Sequence, residues 1–207
     1  GRILKAIEDQ KMRENTLVIY FSDNGGATNN AASNAPLKGR KGSTYEGGIR
    51  VPAVVSWSGK IAADQKVNEP MHVVDLFPTL INLAGGKPDS KLPLDGLDVW
   101  PTIANAEKTP HDELVFNAGS YSDAIRRGPW KLVYGRPEKK QPYRYELYNI
   151  ENDPNETTNL SQQHPEIFAN LKDRLGDYQA QVVKPDGLTP LAKPTDWLAP
   201  QVWDFSK

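Results

Sequence analysis

LVIYFSDNGGATNNAASNAPLKGRKGSTYEGGIRVP, residues 17–52, is the stretch that decides the fold. Its apolar beginning, residues 17–21, ends abruptly in the polar sequence SDNGG, which predicts a buried strand that delivers oxygen-bearing side chains to a loop. Open α/β sheets place their ligands at this carboxyl end of the strands. A second apolar strand is predicted from Val51, so the polar loop between the two strands is the candidate site.

Asp23 and Asn24 lie directly after the first predicted strand and are candidate metal ligands. Calcium and magnesium prefer carboxylate and amide oxygens, and Gly25 and Gly26 allow the backbone to turn sharply enough for neighbouring side chains to converge. The alternative is an ordinary Asp-Asn-Gly turn whose side chains bond their own backbone. Since a hard cation takes about six or more oxygens, further ligands must come from elsewhere.

A basic cluster follows in the same loop, formed by Lys38, Arg40 and Lys41 ahead of the segment GSTYEGG. These side chains could hold a sulfate or phosphate group through charge-assisted hydrogen bonds. The alternative is a solvated basic loop. No glycine-lysine-serine or glycine-lysine-threonine order occurs, which argues against a nucleotide-binding phosphate loop. The whole stretch therefore predicts a site for a metal ion and an anionic group.

Composition places the 207 residues among soluble globular proteins, with 38% hydrophobic and 25% charged residues. The net charge of −1 gives no basic field for nucleic acid, and no apolar run approaches the roughly 20 residues of a membrane helix. Residues 1–14 predict a charged amphipathic helix rather than a secretory signal. The absence of cysteine excludes disulfides, cysteine–zinc sites and a cysteine nucleophile within these residues, but does not fix the compartment.

Two further segments of the first half predict regular structure. Residues 51–57 are nearly all apolar, as in a strand whose sheet is parallel or mixed and covered on both faces. Residues 75–84, DLFPTLINLA, predict a short buried helix that Asp75 caps and that Gly85 and Gly86 end. Residues 92–100 are predicted to be mostly turn.

From about Leu114 the sequence pattern changes to short predicted strands separated by turns, which predicts an antiparallel meander. Pro165 opens a predicted helix whose apolar stripe covers one face of that sheet. Past Lys184 the proline-rich tail is predicted to be extended, with Trp197 and Trp203 pinning it to the body. The predicted strands are residues 114–117, 122–127, 130–134 and 145–149.

Taken together, FSDNGG and PLKGRKGSTYEGGIRVP resemble the carboxyl-half signature of the type I, formylglycine-dependent sulfatase family. The segments MHVVDLFPTLINLAG, PLDGLDVW, AIRRGPWKLVYG and ELYNIENDPNETTNL are similar to the segments that follow it in the family. The resemblance covers nearly the whole chain up to the tail. Among the branches of the family, the arylsulfatase B type looks most similar.

The resemblance implies an α/β fold: part of an alkaline-phosphatase-like sulfatase domain (1–113), then a small antiparallel sheet packed with a carboxyl-terminal helix (114–183) and an extended tail (184–207). Asp23 and Asn24 match the family's second pair of calcium ligands. Lys41 matches the lysine that contacts the sulfate ester oxygens, a catalytic and substrate-binding role. Lys38 and Arg40 match no family role.

One departure from the family pattern concerns the nucleophile, a hydrated formylglycine made from the Cys or Ser of a C/S-x-P-S-R motif. The chain has no cysteine and no proline-serine-arginine sequence, and the first pair of metal aspartates is also missing. We therefore expect the carboxyl-terminal portion of a calcium-dependent sulfatase, inactive alone, whose partner is the amino-terminal half of the same protein. The implied substrate is a sulfated saccharide or aryl sulfate ester, and the implied location is periplasmic, secreted or lysosomal.

Two other functions are compatible with the sequence. One is a non-catalytic sulfated-glycan-binding or interaction module derived from a sulfatase, and the other is a phosphodiesterase of the same superfamily. The first faces an objection, because residues 51–55 would expose apolar surface unless another chain covered them. Structural roles are expected for the remaining candidates: capping or surface roles for His72, His111 and His164, loop bracing for Glu46, and packing for Trp57, Trp100 and Trp130.

Overall fold

The computed structural model describes residues 1–27, 31–89, 91, 93–117, 122–136 and 141–182. The predicted tail, with Trp197 and Trp203, lies outside these residues. None of the described helices is long and apolar enough to cross a membrane. The elements are α1 (Arg2–Asp9), β1 (Val18–Phe21), α2 (Glu46–Ile49), β2 (Ala53–Ser56), α3 (Leu76–Leu83), α4 (Trp100–Asn105), β3 (Leu114–Phe116), β4 (Asp123–Arg127), β5 (Trp130–Gly135), β6 (Arg144–Asn149) and α5 (Pro165–Ala180), with 3-10 turns at Arg13–Asn15 and Val73–Asp75.

Strands β1 and β2 pair antiparallel, with Ile19 opposite Val55. The prediction that these strands are buried is wrong within the described chain, since Tyr20 is 73% exposed and Val54 is 64% exposed. The reason is that no packed layer covers them in the described part of the chain. The expected exposure of apolar surface at residues 51–55 is thereby confirmed, and it continues onto β1.

Helix α3 was predicted within one residue of its observed ends, but its predicted burial is wrong. Pro78 and Thr79 are buried, whereas Phe77 is 57% exposed and Leu80 is 41% exposed. Phe77 and Leu80 are three positions apart and so lie on the same side of the helix. This apolar side, like that of β1 and β2, has no covering layer among the described residues.

Asp75 does not cap α3 as predicted. Its carboxylate accepts the backbone N–H groups of His72, at 2.7 Å, and of Leu97, at 3.0 Å, and lies 2.8 Å from Nε2 of His111. The side chain is fully buried. It therefore closes the turn before α3 and ties that turn to two later loops, a role that depends on residues distant in sequence.

Strands β3 to β6 form a four-stranded antiparallel sheet in sequence order, which confirms the predicted meander. On one face, fully buried Leu132 packs with Leu171 and Leu175 of α5, so the predicted covering helix is also confirmed. Val182, the last apolar position that the sequence assigns to the stripe of this helix, does not belong to it, because α5 stops at Ala180 and Val182 is 46% exposed.

The opposite face of this sheet is closed by a residue from the opening stretch. Tyr45 is 1% exposed and packs with Ala124, Val133, Tyr148 and Ile150. The segment that carries Lys41, the candidate anion-binding lysine, therefore packs through Tyr45 against the small sheet rather than against β1 and β2. The domain boundary at residue 114 stays a prediction.

Candidate active site

The metal and anion segments predicted from the sequence lie side by side and are joined through their backbones. The N–H of Gly25 donates to the carbonyl of Gly48 at 2.9 Å, and the N–H of Lys41 donates to the carbonyl of Gly26 at 3.2 Å. The first bond joins the SDNGG loop to α2, and the second joins it to the basic turn. The structure thus brings together the two halves of the predicted site.

Asn34 strengthens this junction with its side chain. Its Oδ1 accepts the N–H of Gly26 at 2.6 Å, and its Nδ2 donates to the carbonyls of Gly26, at 2.9 Å, and Gly39, at 3.3 Å. Because the amide of Asn34 both accepts from and donates to the backbone of Gly26, it bonds that residue in the way a neighbouring β-strand would. Sequence reasoning missed Asn34, because an asparagine in a polar loop carries no signal for this role.

The side chains of Asp23 and Asn24 are not used by the loop itself. Ser22 makes the local bonds, donating its N–H to the Pro52 carbonyl at 3.3 Å and its hydroxyl to the Asn24 carbonyl at 3.0 Å. Among the described residues, neither the Asp23 carboxylate nor the Asn24 side-chain amide forms a hydrogen bond. The alternative of a turn whose side chains bond their own backbone is therefore not what the fold adopts.

The donors of this loop fit a hard cation in kind but not in number. A carboxylate and an amide oxygen are ligands that calcium accepts, at about 2.3–2.6 Å. The described residues contain no cluster of three or more His, Cys, Asp or Glu side chains that could hold a metal ion. Asp23 and Asn24 can therefore provide only part of a coordination shell.

The two lysines of the basic cluster have different environments. Lys38 donates to the Tyr148 hydroxyl at 2.7 Å, lies 3.5 Å from Oε2 of Glu146, and sits 4.6 Å from the ring centre of Tyr45. Lys38 therefore helps to pack the loop against the small sheet. It is neither part of an anion-binding site nor a solvated loop residue, the two alternatives that the sequence left open. Lys41 is exposed and its ammonium has no ion pair with a described residue, which leaves it accessible to an anion.

Glu146 is the counter-charge for Lys38. Burial alone would raise its pKa, but the hydrogen bond from the Tyr45 hydroxyl, the charge of Lys38 and the Arg144 guanidinium together lower it. The carboxylate therefore stays ionised. Burial raises the pKa of Tyr45, as does its bond to Glu146, so the phenol remains a donor.

A second buried cluster joins the loop to the sheet. Nζ of Lys131, which is fully buried, lies 2.7 Å from Oε1 of Glu46 and 2.9 Å from Oε1 of Glu156. The other oxygen of Glu156 accepts the backbone N–H of Glu46 at 2.7 Å. Glu46 thus braces the loop, as predicted. Burial raises the pKa of Glu156 despite the opposing charge of Lys131.

His72 has the predicted capping role and the tryptophans pack as expected, but the prediction of capping or surface roles is wrong for the other two histidines: the side chain of His111 is only 7% exposed, and His164 makes no side-chain capping hydrogen bond. His72 accepts the N–H of Val74, and burial lowers its pKa, which keeps the ring neutral for that bond. His164 packs against Trp130 at 4.7 Å, and Trp57 meets Trp100 edge to face at 5.6 Å. His111, described above, pairs with the buried carboxylate before α3.

Comparison with known proteins identifies similar chains. Residues 1–86 match the family model for sulfatases. A sulfatase of Formosa agariphila is 35% identical over 187 residues, which cover 80% of this chain and 34% of that protein. Arylsulfatase J of Mus musculus is 32% identical over 213 residues, which cover 82% of this chain and 36% of that protein. The chain therefore spans about a third of the length of these curated relatives.

A solved structure, Ps i-CgsB in complex with k-i-k-neocarrahexaose, aligns with a TM-score of 0.76 at 32% identity, covering 86% of this chain and 40% of that one. This likeness confirms the predicted fold class, an α/β domain of the alkaline-phosphatase type followed by a small antiparallel sheet with a carboxyl-terminal helix.

Proposed function

The chain belongs to the sulfatase family, matching the carboxyl-terminal part of the family domain, and we propose that it forms one wall of the active site of a calcium-dependent sulfatase. The observation that carries the proposal is the junction between the two predicted half-sites. The side-chain oxygens of Asp23 and Asn24 and the ammonium of Lys41 have no partner among the described residues, and they belong to loops joined by the bond from Lys41 N–H to the Gly26 carbonyl. That junction lies within the residues that match the family.

Each residue of this wall has a defined role in the proposal. Asp23 and Asn24 would hold calcium, which supplies positive charge next to a bound sulfate. The Lys41 ammonium donates a hydrogen bond to an oxygen of the sulfate ester and stabilises the negative charge that develops as the bond to the alcohol breaks. These residues bind and orient the ester, and none of them attacks sulfur.

The nucleophile must come from outside these 207 residues, since the chain contains neither a cysteine nor a proline-serine-arginine sequence. We assign it to an amino-terminal polypeptide of the same protein. The exposed apolar residues Tyr20, Val54 and Phe77 support that assignment, because uncovered apolar strands and helices call for a covering layer. A purely glycan-binding module would need to keep this surface in water.

A sulfated saccharide is the proposed substrate. Support comes from the similarity to Ps i-CgsB, a structure solved with k-i-k-neocarrahexaose. The similarity to arylsulfatase J supports an arylsulfatase-type branch, with an aryl sulfate ester as a convenient assay substrate. A periplasmic, secreted or lysosomal location remains part of the proposal.

Replacing Lys41 with methionine tests the anion site. In the complete protein, meaning this chain with all polypeptide encoded beside it, Lys41→Met should reduce kcat/KM for 4-nitrophenyl sulfate by about 100-fold, as expected for loss of one preorganised donor. Because the side chain is exposed and unpaired among the described residues, the melting temperature should stay unchanged.

The matched control is Lys60→Met, another exposed lysine, which should leave kcat/KM unchanged. Equal activity of the Lys41 variant and the wild type would remove Lys41 from the site. Failure of the wild-type complete protein to release sulfate, in the presence of calcium, would refute the enzymatic proposal, and binding of sulfated saccharides without turnover would favour the glycan-binding module.

Replacing Asp23 with asparagine tests the metal site. We expect the calcium dissociation constant of the complete protein, measured by isothermal titration calorimetry, to rise by at least about 10- to 100-fold. Loss of a residue that only hydrogen-bonds to a metal ligand weakens metal binding by that factor, and loss of a ligand itself should weaken it no less. Asp173→Asn removes the same charge from the exposed side of α5 and should leave calcium binding unaffected. Equal dissociation constants for the two variants would argue against Asp23 as a ligand.

A further inference from the structure

We propose that Glu156, in the loop after β6, is a positioning residue that fixes the geometry of both the Asp23 and the Lys41 segments. The inference rests on the proposed function for its catalytic meaning and on the contacts of Glu156 for its physical basis. Glu156 is 1% exposed and lies 110 residues from Glu46, the residue whose backbone it holds. It therefore acts on the site from the small sheet.

The two oxygens of Glu156 have separate partners. Oε2 accepts the N–H of Glu46 at 2.7 Å, and Oε1 lies 2.9 Å from the Lys131 ammonium. Lys131 in turn lies 2.7 Å from the Glu46 side chain, so backbone and side chain of Glu46 are held at once. A carboxylate is the side chain that offers two acceptor oxygens with no donor between them.

Backbone hydrogen bonds of the two residues after Glu46 connect it to both parts of the candidate site. Two residues further on, the carbonyl of Gly48 accepts the N–H of Gly25 at 2.9 Å, which fixes the loop that holds Asp23. The N–H of Gly47 donates to the carbonyl of Lys38 at 2.6 Å, which fixes the start of the turn that holds Lys41. A shift at residue 46 is therefore transmitted to both half-sites.

The backbone at Glu156 also points to a role for its side chain. Its φ is +55°, a left-handed conformation that costs little for glycine and more for a residue with a side chain. A glutamate at such a position is explained by the two contacts that its carboxylate makes. Loss of one acceptor oxygen should loosen the site without unfolding the chain, because glutamine keeps the volume of the side chain and one of its two contacts.

Glu156→Gln in the complete protein tests the proposal, since glutamine keeps the shape but has only one acceptor oxygen and must give up one contact. Hydrogen–deuterium exchange followed by mass spectrometry should show faster exchange in peptides covering residues 23–26 and 44–48, with α5 unchanged. Turnover of 4-nitrophenyl sulfate should fall by about 10- to 100-fold in kcat, with a smaller change in KM, as expected when bound groups are misplaced.

Glu151→Gln is the matched control, because this exposed glutamate lies five positions earlier in the same loop. Unchanged exchange at residues 23–26 in the Glu156 variant would overturn the proposal. Faster exchange throughout the chain, including α5, would also overturn it by showing a general loss of stability. The expected exchange pattern in a protein whose wild type releases no sulfate would uphold the positioning role and refute the proposed function instead.

Discussion

Replacing Lys131 with methionine should lower the free energy of unfolding by about 3–5 kcal/mol, the cost of leaving a buried charge without its partner. Lys131 is fully buried and lies within 3 Å of both Glu46 and Glu156. Methionine fills a similar volume but leaves the buried Glu156 carboxylate without a cation and Glu46 with only the more exposed Arg50, 3.8 Å away. The measurement is thermal or chemical unfolding of the purified protein, followed by circular dichroism.

Two further variants separate lost charge from lost packing. Lys87→Met changes an exposed lysine that forms no hydrogen bond or ion pair with the described residues, and it should alter the free energy of unfolding by less than about 0.5 kcal/mol. Adding Glu46→Gln and Glu156→Gln to Lys131→Met removes the two buried negative charges that Lys131 neutralised and should recover part of the loss. If Lys131→Met unfolds like the wild type, the cluster does not hold the loop to the sheet.

Replacing Gly25 with alanine should have the largest effect on the site itself. A Cβ atom at residue 25 would overlap the backbone carbonyl oxygen of Gly47, and no side-chain rotation could relieve that overlap. The SDNGG loop and α2 must therefore move apart. We expect kcat/KM of the complete protein for 4-nitrophenyl sulfate to fall by about 100-fold or more, and the free energy of unfolding to drop by about 1–3 kcal/mol.

Gly176→Ala is the control for this substitution. A Cβ at residue 176 meets nothing within 4 Å, and alanine suits the interior of α5 better than glycine does. This variant should be fully active and slightly more stable than the wild type. Full activity of Gly25→Ala would mean that the close approach of the two loops does not matter for catalysis.

The small sheet and its helix could be predicted because their signals are local. Each strand is short and bounded by turn residues, and Pro165 begins a helix whose Leu171 and Leu175 lie one turn apart. Burial of β1, β2 and α3 could not be judged in the same way. An apolar pattern predicts that a surface is covered, but it does not say which polypeptide covers it.

Only some residues of the candidate site could be predicted from the sequence. Asp23, Asn24 and Lys41 were predicted because they cluster within one stretch, whereas Asn34 and Glu156 act through backbone groups that leave no trace in the sequence. Lys131 did carry a signal. Residues alternate across a strand, so it shares a face of β5 with Val133, which packs against Tyr45 in the core.

A polypeptide leaves the ribosome with its amino end first, at about 5–20 residues per second. If the layer that covers β1, β2 and α3 is encoded upstream, as proposed, it emerges before these elements and is available when Tyr20 and Val54 appear. The strands would then be covered as they fold and would never be presented as a free surface. Synthesis of the 207 residues without that layer would instead present bare strand edges to other nascent chains, a route to inclusion bodies.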